Sequence, residues 1–451
     1  MEQIKLPDKV NTIIHTLQQA GFEAYAVGGC VRDSILCREP DDWDITTSAR
    51  PEQVKALFRR TVDTGIAHGT VTVMFAREGF EVTTYRIDGE YEDARHPKEV
   101  TYTASLKEDL KRRDFTINAM AYNEEEGIID IFGGMADMEI GLIRAVGIAG
   151  ERFTEDALRM MRAVRFAAQL GYDIEPQTEE AIRLLAPNLT AISAERIQTE
   201  LVKLLISPHP EKLRTLYDIG VTKIILPEFD VMTETKQNNP HHCYTVGEHT
   251  LRGMMETKQE RFLRLAMLFH DMGKPQTKTT DEDGIDHFHG HAAVSAELSK
   301  KVMRRLKFDN DTIQHVSKTV LYHDYKMALT SKSVRRAVNT IGTDIFPDLF
   351  PVKYADVMSQ SGFQREEKLE ELREIKTLYE QVIKEHQCVT IKQLAVNGSD
   401  LIAMGMRPGR EIGIILQEML EVVLEEPEKN TREQLLALPV IQADSFQNVL
   451  K

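Results

Sequence analysis

The sequence predicts an α+β protein: a mixed sheet with helices in the first third of the chain, and helices alone in the rest. Three observations carry this reading. The alternating runs GTVTVMFA (Gly69 to Ala76) and FEVTTYRI (Phe80 to Ile87), joined by Arg77-Glu78-Gly79, have the pattern of a β-hairpin. Short apolar runs at Tyr25 to Val27 and Leu142 to Val146 read as further strands among segments of helical period. Beyond about residue 149 strand signals nearly vanish and the periodicity is helical. At 451 residues the chain exceeds one ordinary core, so two to four domains are expected.

Composition narrows the class. With 42% hydrophobic and 28% charged residues the chain has enough apolar surface for a folded core and is not a disordered tail. No apolar run reaches bilayer length and MEQIKLPDKV lacks the shape of a signal peptide, so a cytoplasmic protein without a membrane partner is expected. Cys30, Cys37, Cys243 and Cys388 lie far apart with no CxxC, which argues against a disulfide scaffold or a structural zinc knuckle. A net charge of −15 lowers the expectation of a nucleic-acid partner. Local basic clusters work against that total: Lys111 to Arg113, then Arg159, Arg162 and Arg165, then Lys300, Lys301, Arg304, Arg305 and Lys307. Each reads equally as a solvated helix face.

In chain order, Val10, Ile13, Ile14 and Leu17 recur at helical spacing over residues 8 to 20, and Gly21 stops the helix. The chemical centre of the chain runs from Val27 to Thr47. An apolar strand tip turns through Gly28 and Gly29 into a short helix carrying Arg32 and Asp33, and a second strand carries Asp42 and Asp44. Glycines without Cβ atoms let a backbone approach a phosphate, and the N–H groups of a helix start favour an anion. Arg32 can add a forked donor to the same anion. Strand alternation puts Asp42 and Asp44 on one face with Trp43 on the other, and two adjacent carboxylates repel unless a hard divalent cation lies between them.

Ser48 is expected to cap a helix with Pro51 near its start, covering Val54, Leu57 and Phe58. The hairpin follows and places Glu81 on its second strand. Asp88 to Thr103 is a polar segment, and a loop of that length inside a compact domain is usually functional or disordered. Leu106 to Tyr122 contains Arg112, Arg113, Asp114 and Asn118, of which Arg113 and Asp114 also read as a surface ion pair. Asp130, Phe132, Gly133 and Gly134 form a turn that closes the α/β region, with Leu142 to Val146 as its last strand.

Glu151 to Leu170 reads as one amphipathic helix. Asp156 and Arg159 are three apart on it, and the plain reading is an intrahelical salt bridge. A sharper reading comes from base chemistry. Cytosine and adenine each present an amino donor beside a bare ring nitrogen, whereas uracil and guanine present a carbonyl beside a ring N–H. A fixed carboxylate next to a guanidinium therefore matches C and A and mismatches U and G. Residues 176 to 220 continue as a helical neck, and Pro227 to Pro240 reads as a linker. A histidine-dense region follows, with His241, His242, His249, His270-Asp271, His287, His289, His291 and His323-Asp324. Phe363 to His386 is a long charged helix, and the tail carries Asn397-Gly398, Gly405 and Pro408-Gly409 before an apolar helix.

The strand, Gly-Gly turn, helix, strand order with its paired aspartates resembles the nucleotidyltransferase superfamily of polymerase β type, and within it the CCA-adding enzyme and bacterial poly(A) polymerase family. The resemblance spans essentially the whole chain. It implies a polymerase β-like nucleotidyltransferase head (1–148) followed by an all-α neck that recognises the nucleotide base (149–235), an HD metal-binding domain (236–345) and a helical tail contacting tRNA (346–451). In the head it implies Mg²⁺ on Asp42 and Asp44 with Glu81 as a third carboxylate. Gly28, Gly29, Arg32, Arg112, Arg113, Asp114 and Asn118 would hold the ribose and triphosphate. Asp93, Arg95 and Pro97 match a loop that assists the switch from adding C to adding A. EDALR (Glu155 to Arg159) matches the family's EDxxR motif, so Asp156 and Arg159 would read the base, Glu155 would position Arg159, and Arg162 joins the nucleotide-binding set.

His249, His270, Asp271 and Asp324 resemble the ligand series of HD-domain phosphohydrolases, with His289, His291 and His323 as candidates for a second metal. Imidazole with carboxylate suits Zn, Mn, Ni, Co or Fe. The tail matches the family's VNGxDL and GxxPG pattern, except that Arg410 stands where the family usually has Pro. The implied function is template-independent addition of CCA to the tRNA 3′ end from CTP and ATP by two-metal catalysis, with a hydrolase activity on RNA ends and no obligate protein partner. A poly(A) polymerase or A-adding enzyme is the nearest alternative. An HD phosphohydrolase with an RNA-binding head is the alternative of another class.

Overall fold

The computed structural model describes residues 4–89 and 100–442, and the loop positions Asp93, Arg95 and Pro97 lie outside the described residues. Two compact units are present: Met1–Asp230 with Arg305–Lys307, and Val231–Arg304 with Phe308–Lys451.

The first unit contains the strands β1 (Ala24–Val27), β2 (Ile45–Thr47), β3 (Thr61–Gly65), β4 (Thr70–Phe75), β5 (Glu78–Thr84), β6 (Arg86–Asp88), β7 (Val100–Tyr102), β8 (Met120–Asn123) and β9 (Gly127–Asp130). Seven of them form one sheet in the order β3-β4-β5-β2-β1-β8-β9. β1 is buried along its whole length because it pairs antiparallel with both β2 and β8, which is why its residues are apolar without alternation. β2 runs parallel to β5, with Ile45 opposite Val82, so the sheet is mixed as expected. The hairpin β4–β5 alternates buried and exposed positions, and Val71, Val73 and Val82 enter the core. Helix Asp8–Gln19 buries Val10, Ile13, Ile14 and Leu17, the stripe that its spacing predicts.

Several expectations need correction. Asp42 and Asp44 lie in the extended lead-in to β2 rather than within it. Ser48 does not cap the next helix. Its hydroxyl accepts from Glu23 N at 2.9 Å, and Pro51–Leu57 starts after Arg50 with a Gln53 capping box. The strand Leu142–Ile143 pairs parallel with Asp173–Ile174 instead of joining the large sheet. The expected single helix over 151–170 is two, Ala149–Glu155 and Leu158–Leu170, interrupted at Asp156 with φ of −140°. The expected linker after Pro227 begins with a helix, Pro227–Glu234, that buries Phe229 and Met232.

The second unit is helical apart from one short hairpin, Thr279–Thr280 with Asp286–His287, among the described residues. Helices Val246–Glu256, Arg261–Phe269, Asn310–Tyr322 and Phe346–Ser359 pack together, and the long helix Arg365–Lys384 lies against the last of these. In the tail, Asn397 caps helix Gly398–Ala403, accepting from Ser399 N at 2.9 Å, while Asp400 accepts from Asn397 N at 2.9 Å. Arg410 opens helix Arg410–Glu425, whose Met419, Leu420 and Val423 form the tail's core. Among the described residues no helix is long and apolar enough to cross a membrane.

Candidate active site and metal centre

The head site starts at a turn. Gly28 has φ of 87°, in the left-handed region that suits glycine, and a Cβ there would lie 3.0 Å from Arg113 Nη1. The missing side chain thus lets a guanidinium rest against the turn. Asp44 is held beside it because its carbonyl accepts from Val27 N at 3.0 Å. The β2–β5 register, with Ile45 opposite Val82, sets Glu81 next to Asp44 on the same face. Burial pushes the Asp44 carboxyl up to about 6, Asp42 and, less strongly, Glu81 add to the rise, and Arg113 opposes it. Asp42, Asp44 and Glu81 offer oxygen ligands only, the donor type that Mg²⁺ takes, although the three are not drawn together within 4.8 Å as the groups of the second unit are.

A separate chain of bonds runs from the helix that follows the Gly28 turn. Arg32 is buried, with Nε and Nη2 on Asp33 at 2.9 and 2.8 Å and Nη1 on Asn118 Oδ1 at 2.6 Å. Asn118 Nδ2 donates to Asp114 Oδ1 at 3.3 Å. Asp114 Oδ2 accepts from Arg162 Nε and Nη2 at 2.8 and 2.6 Å, so its partner is Arg162 and not the adjacent Arg113. Burial works against the Asp114 charge, but Arg162 holds its carboxyl down at about 2. Arg112 and Arg113 are anchored by Asp109, which sequence reasoning passed over. This fully buried carboxylate accepts from Arg112 Nε at 3.0 Å and Thr46 Oγ1 at 3.0 Å and lies 3.6 Å from Arg113 Nη2. The signal was available: an aspartate three and four residues before two arginines on a helix.

The helix break at Asp156 separates the two expected base readers. Asp156 Oδ1 accepts from Leu158 N at 3.0 Å, and its Oδ2 accepts from Arg196 Nη2 at 2.7 Å. Arg159 Nη1 donates to Glu155 Oε2 at 2.6 Å and Arg152 O at 3.1 Å, and its Nη2 donates to Arg112 O at 3.0 Å. The plain intrahelical Asp156–Arg159 pair is therefore not formed, and each side chain is held by other groups. Arg159 uses three of its five N–H donors in these bonds, which leaves two. Arg196, 40 residues beyond Asp156, had no local signal. The other basic clusters are also largely paired: Arg165 with Glu200 at 2.6 Å, Lys300 with Glu297 at 2.7 Å, and Arg305 with Glu228 at 2.7 Å.

In the second unit four imidazoles converge. His270 Nδ1 lies 2.7 Å from Met267 O, His323 Nδ1 2.7 Å from Val320 O, His291 Nδ1 2.9 Å from Phe288 O and His249 Nδ1 3.3 Å from Ser359 O. A carbonyl only accepts, so each Nδ1 carries the proton and each Nε2 offers a lone pair. The Nε2 atoms meet in two pairs, His249 with His270 at 3.3 Å and His291 with His323 at 3.2 Å.

Asp271 faces both pairs. Its Oδ2 is 3.1 Å from His270 and 3.4 Å from His249, and its Oδ1 is 3.4 Å from His291 and 3.9 Å from His323. Asp356 Oδ1 completes the first pair, 2.9 Å from His249 and 3.8 Å from His270. Burial, reinforced by His270, lowers His323 to about 3 and keeps it neutral. Burial also opposes charge on His270, but Asp271 and Asp356 shift it upward. Nitrogen pairs bridged by one carboxylate fit transition metals of the Zn, Mn, Fe, Co, Ni group, with His249, His270, Asp271 and Asp356 on one side and Asp271, His291 and His323 on the other.

The expected ligand Asp324 is not among these groups. It is exposed, because of the two adjacent residues only His323 turns inward from the end of helix Asn310–Tyr322. His289 stacks on His287 instead, with ring centroids 5.6 Å apart.

Comparisons with known proteins place the chain in a family. Three family models match: the poly A polymerase head domain over residues 24–144, the RNA- and SrmB-binding site of polymerase A over 171–233, and tRNA nucleotidyltransferase domain 2 over 277–438. The chain is 38% identical to the CCA-adding enzyme of Lactiplantibacillus plantarum over 438 residues, 96% of each chain. It is 36% identical to the CCA-adding enzyme of Lactobacillus helveticus, covering 95% of this chain and 96% of that one. Among solved structures, the CCA-adding enzyme of Bacillus stearothermophilus in complex with CTP is similar with a TM-score of 0.71 and 31% identity, over 98% of this chain and 99% of that one.

Proposed function

We propose, from the premise that this chain belongs to the family of CCA-adding tRNA nucleotidyltransferases, that it extends the tRNA 3′ end with C, C and A from CTP and ATP without a template. The observation that carries the reading is the bonded chain from Arg32 on the helix after the Gly28 turn through Asn118 and Asp114 to Arg162, which lies on the same helix as Arg159. Two Mg²⁺ ions held by Asp42 and Asp44, with Glu81 beside them, would neutralise the triphosphate and lower the pKa of the attacking ribose hydroxyl. In the reaction the hydroxyl oxygen bonds to the α-phosphorus, the bond to the β-phosphate oxygen breaks, pyrophosphate leaves and the hydroxyl proton passes to solvent.

The chain's own residues do the rest. Gly28 gives the phosphates access to the backbone, Arg113 adds positive charge beside Asp44, and the Asn118–Asp114 pair sets the ribose edge of the pocket. Asp156 accepts the amino group that C and A share, and the free donors of Arg159 meet the adjacent ring nitrogen. Leaving such groups unpaired against U or G costs about 1–3 kcal/mol each, which is selection without a template. The four-part division at residues 148, 235 and 345 belongs to the same proposal, with helix Phe346–Ser359 contributing Asp356 to the third part. Incubating tRNA that lacks CCA with labelled CTP alone tests it: incorporation supports CCA addition, and none leaves a poly(A) or A-adding enzyme.

A second reading applies to the second unit and rests on the converging Nε2 lone pairs. The His249/His270/Asp271/Asp356 and Asp271/His291/His323 groups would hold transition metal and hydrolyse phosphate esters at RNA ends, including 2′,3′-cyclic phosphates and 2′-nucleotides. Metal analysis of the purified protein, followed by assay on these esters, tests it. Protein without transition metal and without hydrolysis would contradict it.

A further inference from the structure

Beside the histidine–aspartate cluster lies a cavity of about 870 Å³, far larger than one phosphate needs and within the range of nucleotide-sized ligands. Of its four lysines Lys326 is exposed, and the other three fall into two kinds. Lys274 is buried and paired with Asp271 at 2.7 Å. Lys353 and Lys368 are half-buried and have neutral partners only: Lys353 Nζ donates to Tyr325 O at 2.9 Å, and Lys368 Nζ donates to Gln360 Oε1 at 2.6 Å and lies 3.0 Å from His241 Nδ1. Among the described residues neither amine has a carboxylate oxygen within 4.0 Å. Asp324, Asp356 and Glu371 line the same cavity and act on Lys353 from beyond that distance, as Asp356 and Asp324 do on Lys368. Ammonium groups drawn out of water are ordinarily paired with an anion, so two without a close carboxylate offer an anion site on their wall of a cavity that Asp271, Asp286, Asp324, Asp356 and Glu371 also line.

Position makes the site specific. Lys353 precedes Asp356 by three residues on helix Phe346–Ser359, so its amine and the metal-facing carboxylate share a helix face. Phe288 and Tyr325 also line the cavity and supply aromatic surface of the kind on which a base stacks.

We propose that this cavity takes an RNA 3′ end whose last nucleoside is phosphorylated on both sides, with the terminal phosphate at the histidine–aspartate cluster and the internucleotide phosphate at Lys353 and Lys368. The proposal rests on the hydrolase reading of the cluster and adds its substrate class. In the reaction a water oxygen bonds to the terminal phosphorus, the ester bond to the ribose breaks and the ribose oxygen takes up a proton. Inorganic phosphate and a 3′-hydroxyl result, and the internucleotide phosphate stays intact. That hydroxyl is the acceptor that nucleotide addition requires.

The test compares cytidine 3′-phosphate, cytidine 3′,5′-bisphosphate and a cytidine dinucleotide 3′-phosphate as substrates of the Mn²⁺-loaded full chain and of the double variant Lys353→Met, Lys368→Met. The native protein is expected to prefer both two-phosphate substrates over the monophosphate through KM, and the variant to lose about tenfold of that preference. A dinucleotide favoured over the bisphosphate assigns the site to an RNA end, whereas equal use of the two would overturn RNA as the occupant. A structural defect would lower all three activities together, and that result, or an unchanged preference, overturns the proposal. Calorimetric binding of cytidine 3′,5′-bisphosphate in the presence of EDTA reads the lysine site without metal. Should the native protein hydrolyse nothing, the hydrolase reading fails, and unchanged metal-free binding in the double variant would show separately that the lysines hold no phosphate.

Discussion

Arg196 offers a direct test of how the head distinguishes bases. Its Nη2 donates to Asp156 Oδ2 at 2.7 Å, and the two side chains are 22% and 16% exposed. Asp156 lies at a helix break, and among the described residues its carboxylate has one other hydrogen bond, from Leu158 N at 3.0 Å. Replacing Arg196 with Ala removes the partner that orients the carboxylate. A charge-assisted bond of this kind contributes about 1.5–3 kcal/mol, and residual solvent contact places this one near the lower end, about 1.5 kcal/mol. If that energy holds the carboxylate in its base-reading position, discrimination of C and A against U and G falls by about tenfold. For a unit of this size the melting temperature falls by about 4 °C. The assay is single-nucleotide incorporation of CTP, ATP, UTP and GTP, each alone, on tRNA ending at its discriminator base to read C and on tRNA lacking only its last residue to read A, with kcat and KM separated. Arg196→Lys keeps one donor and should restore most of the discrimination. An Arg196→Ala protein that melts earlier yet rejects UTP and GTP as before would refute the reasoning.

Other consequences follow from the same geometry. Asp44, raised to about 6 in the folded protein, binds a proton there that the unfolded chain has already lost above about pH 4. Its contribution to metal-free stability is therefore lost as pH rises from about 4 to 6, and Mg²⁺ must displace that proton below about 6. Calorimetric Mg²⁺ affinity should thus weaken as pH falls through this window, and a flat profile from pH 5 to 7 would contradict the assignment. Gly28→Ala forces a side chain to φ of 87° against Arg113, at a cost of about 1–2 kcal/mol, and should raise the KM for CTP several-fold in addition kinetics. Asp356→Ala should lower transition-metal retention by at least about tenfold in elemental analysis after dialysis, whereas Asp324→Ala should leave it at the native level.

Much of this was legible in the sequence because local pattern and tertiary demand agree. The alternation of Gly69 to Ile87 fixes the hairpin β4–β5, and the apolar run at Tyr25 to Val27 announces a strand buried on both faces. The Gly28 turn and Asp42/Asp44 stand out because few other arrangements need those residue types at that spacing. What was missed depends on long-range packing. The pattern from Glu151 to Leu170 stays amphipathic across the break at Asp156, with no Gly or Pro to mark it, because Asp156 leaves helical geometry to cap the next helix and meet Arg196. Pro227 to Pro240 reads as a linker because it is polar and Asn-rich, although proline at the first position of a helix is a start signal. His323-Asp324 imitates His270-Asp271 in sequence, yet its aspartate points to solvent, and the missing carboxylate comes from Asp356 on the next helix but one. Asp109 anchors Arg112 and Arg196 anchors Asp156, from positions outside the motif residues.

The most direct measurement of the central claim is product sequencing. Transfer RNA ending at its discriminator base is incubated with CTP, ATP and Mg²⁺, and the 3′ ends are read for the native chain and for Asp42→Ala. The account predicts C, C and A in that order from the native protein and no addition from the variant. A run of A, a lone A, or undiminished addition by Asp42→Ala would contradict it.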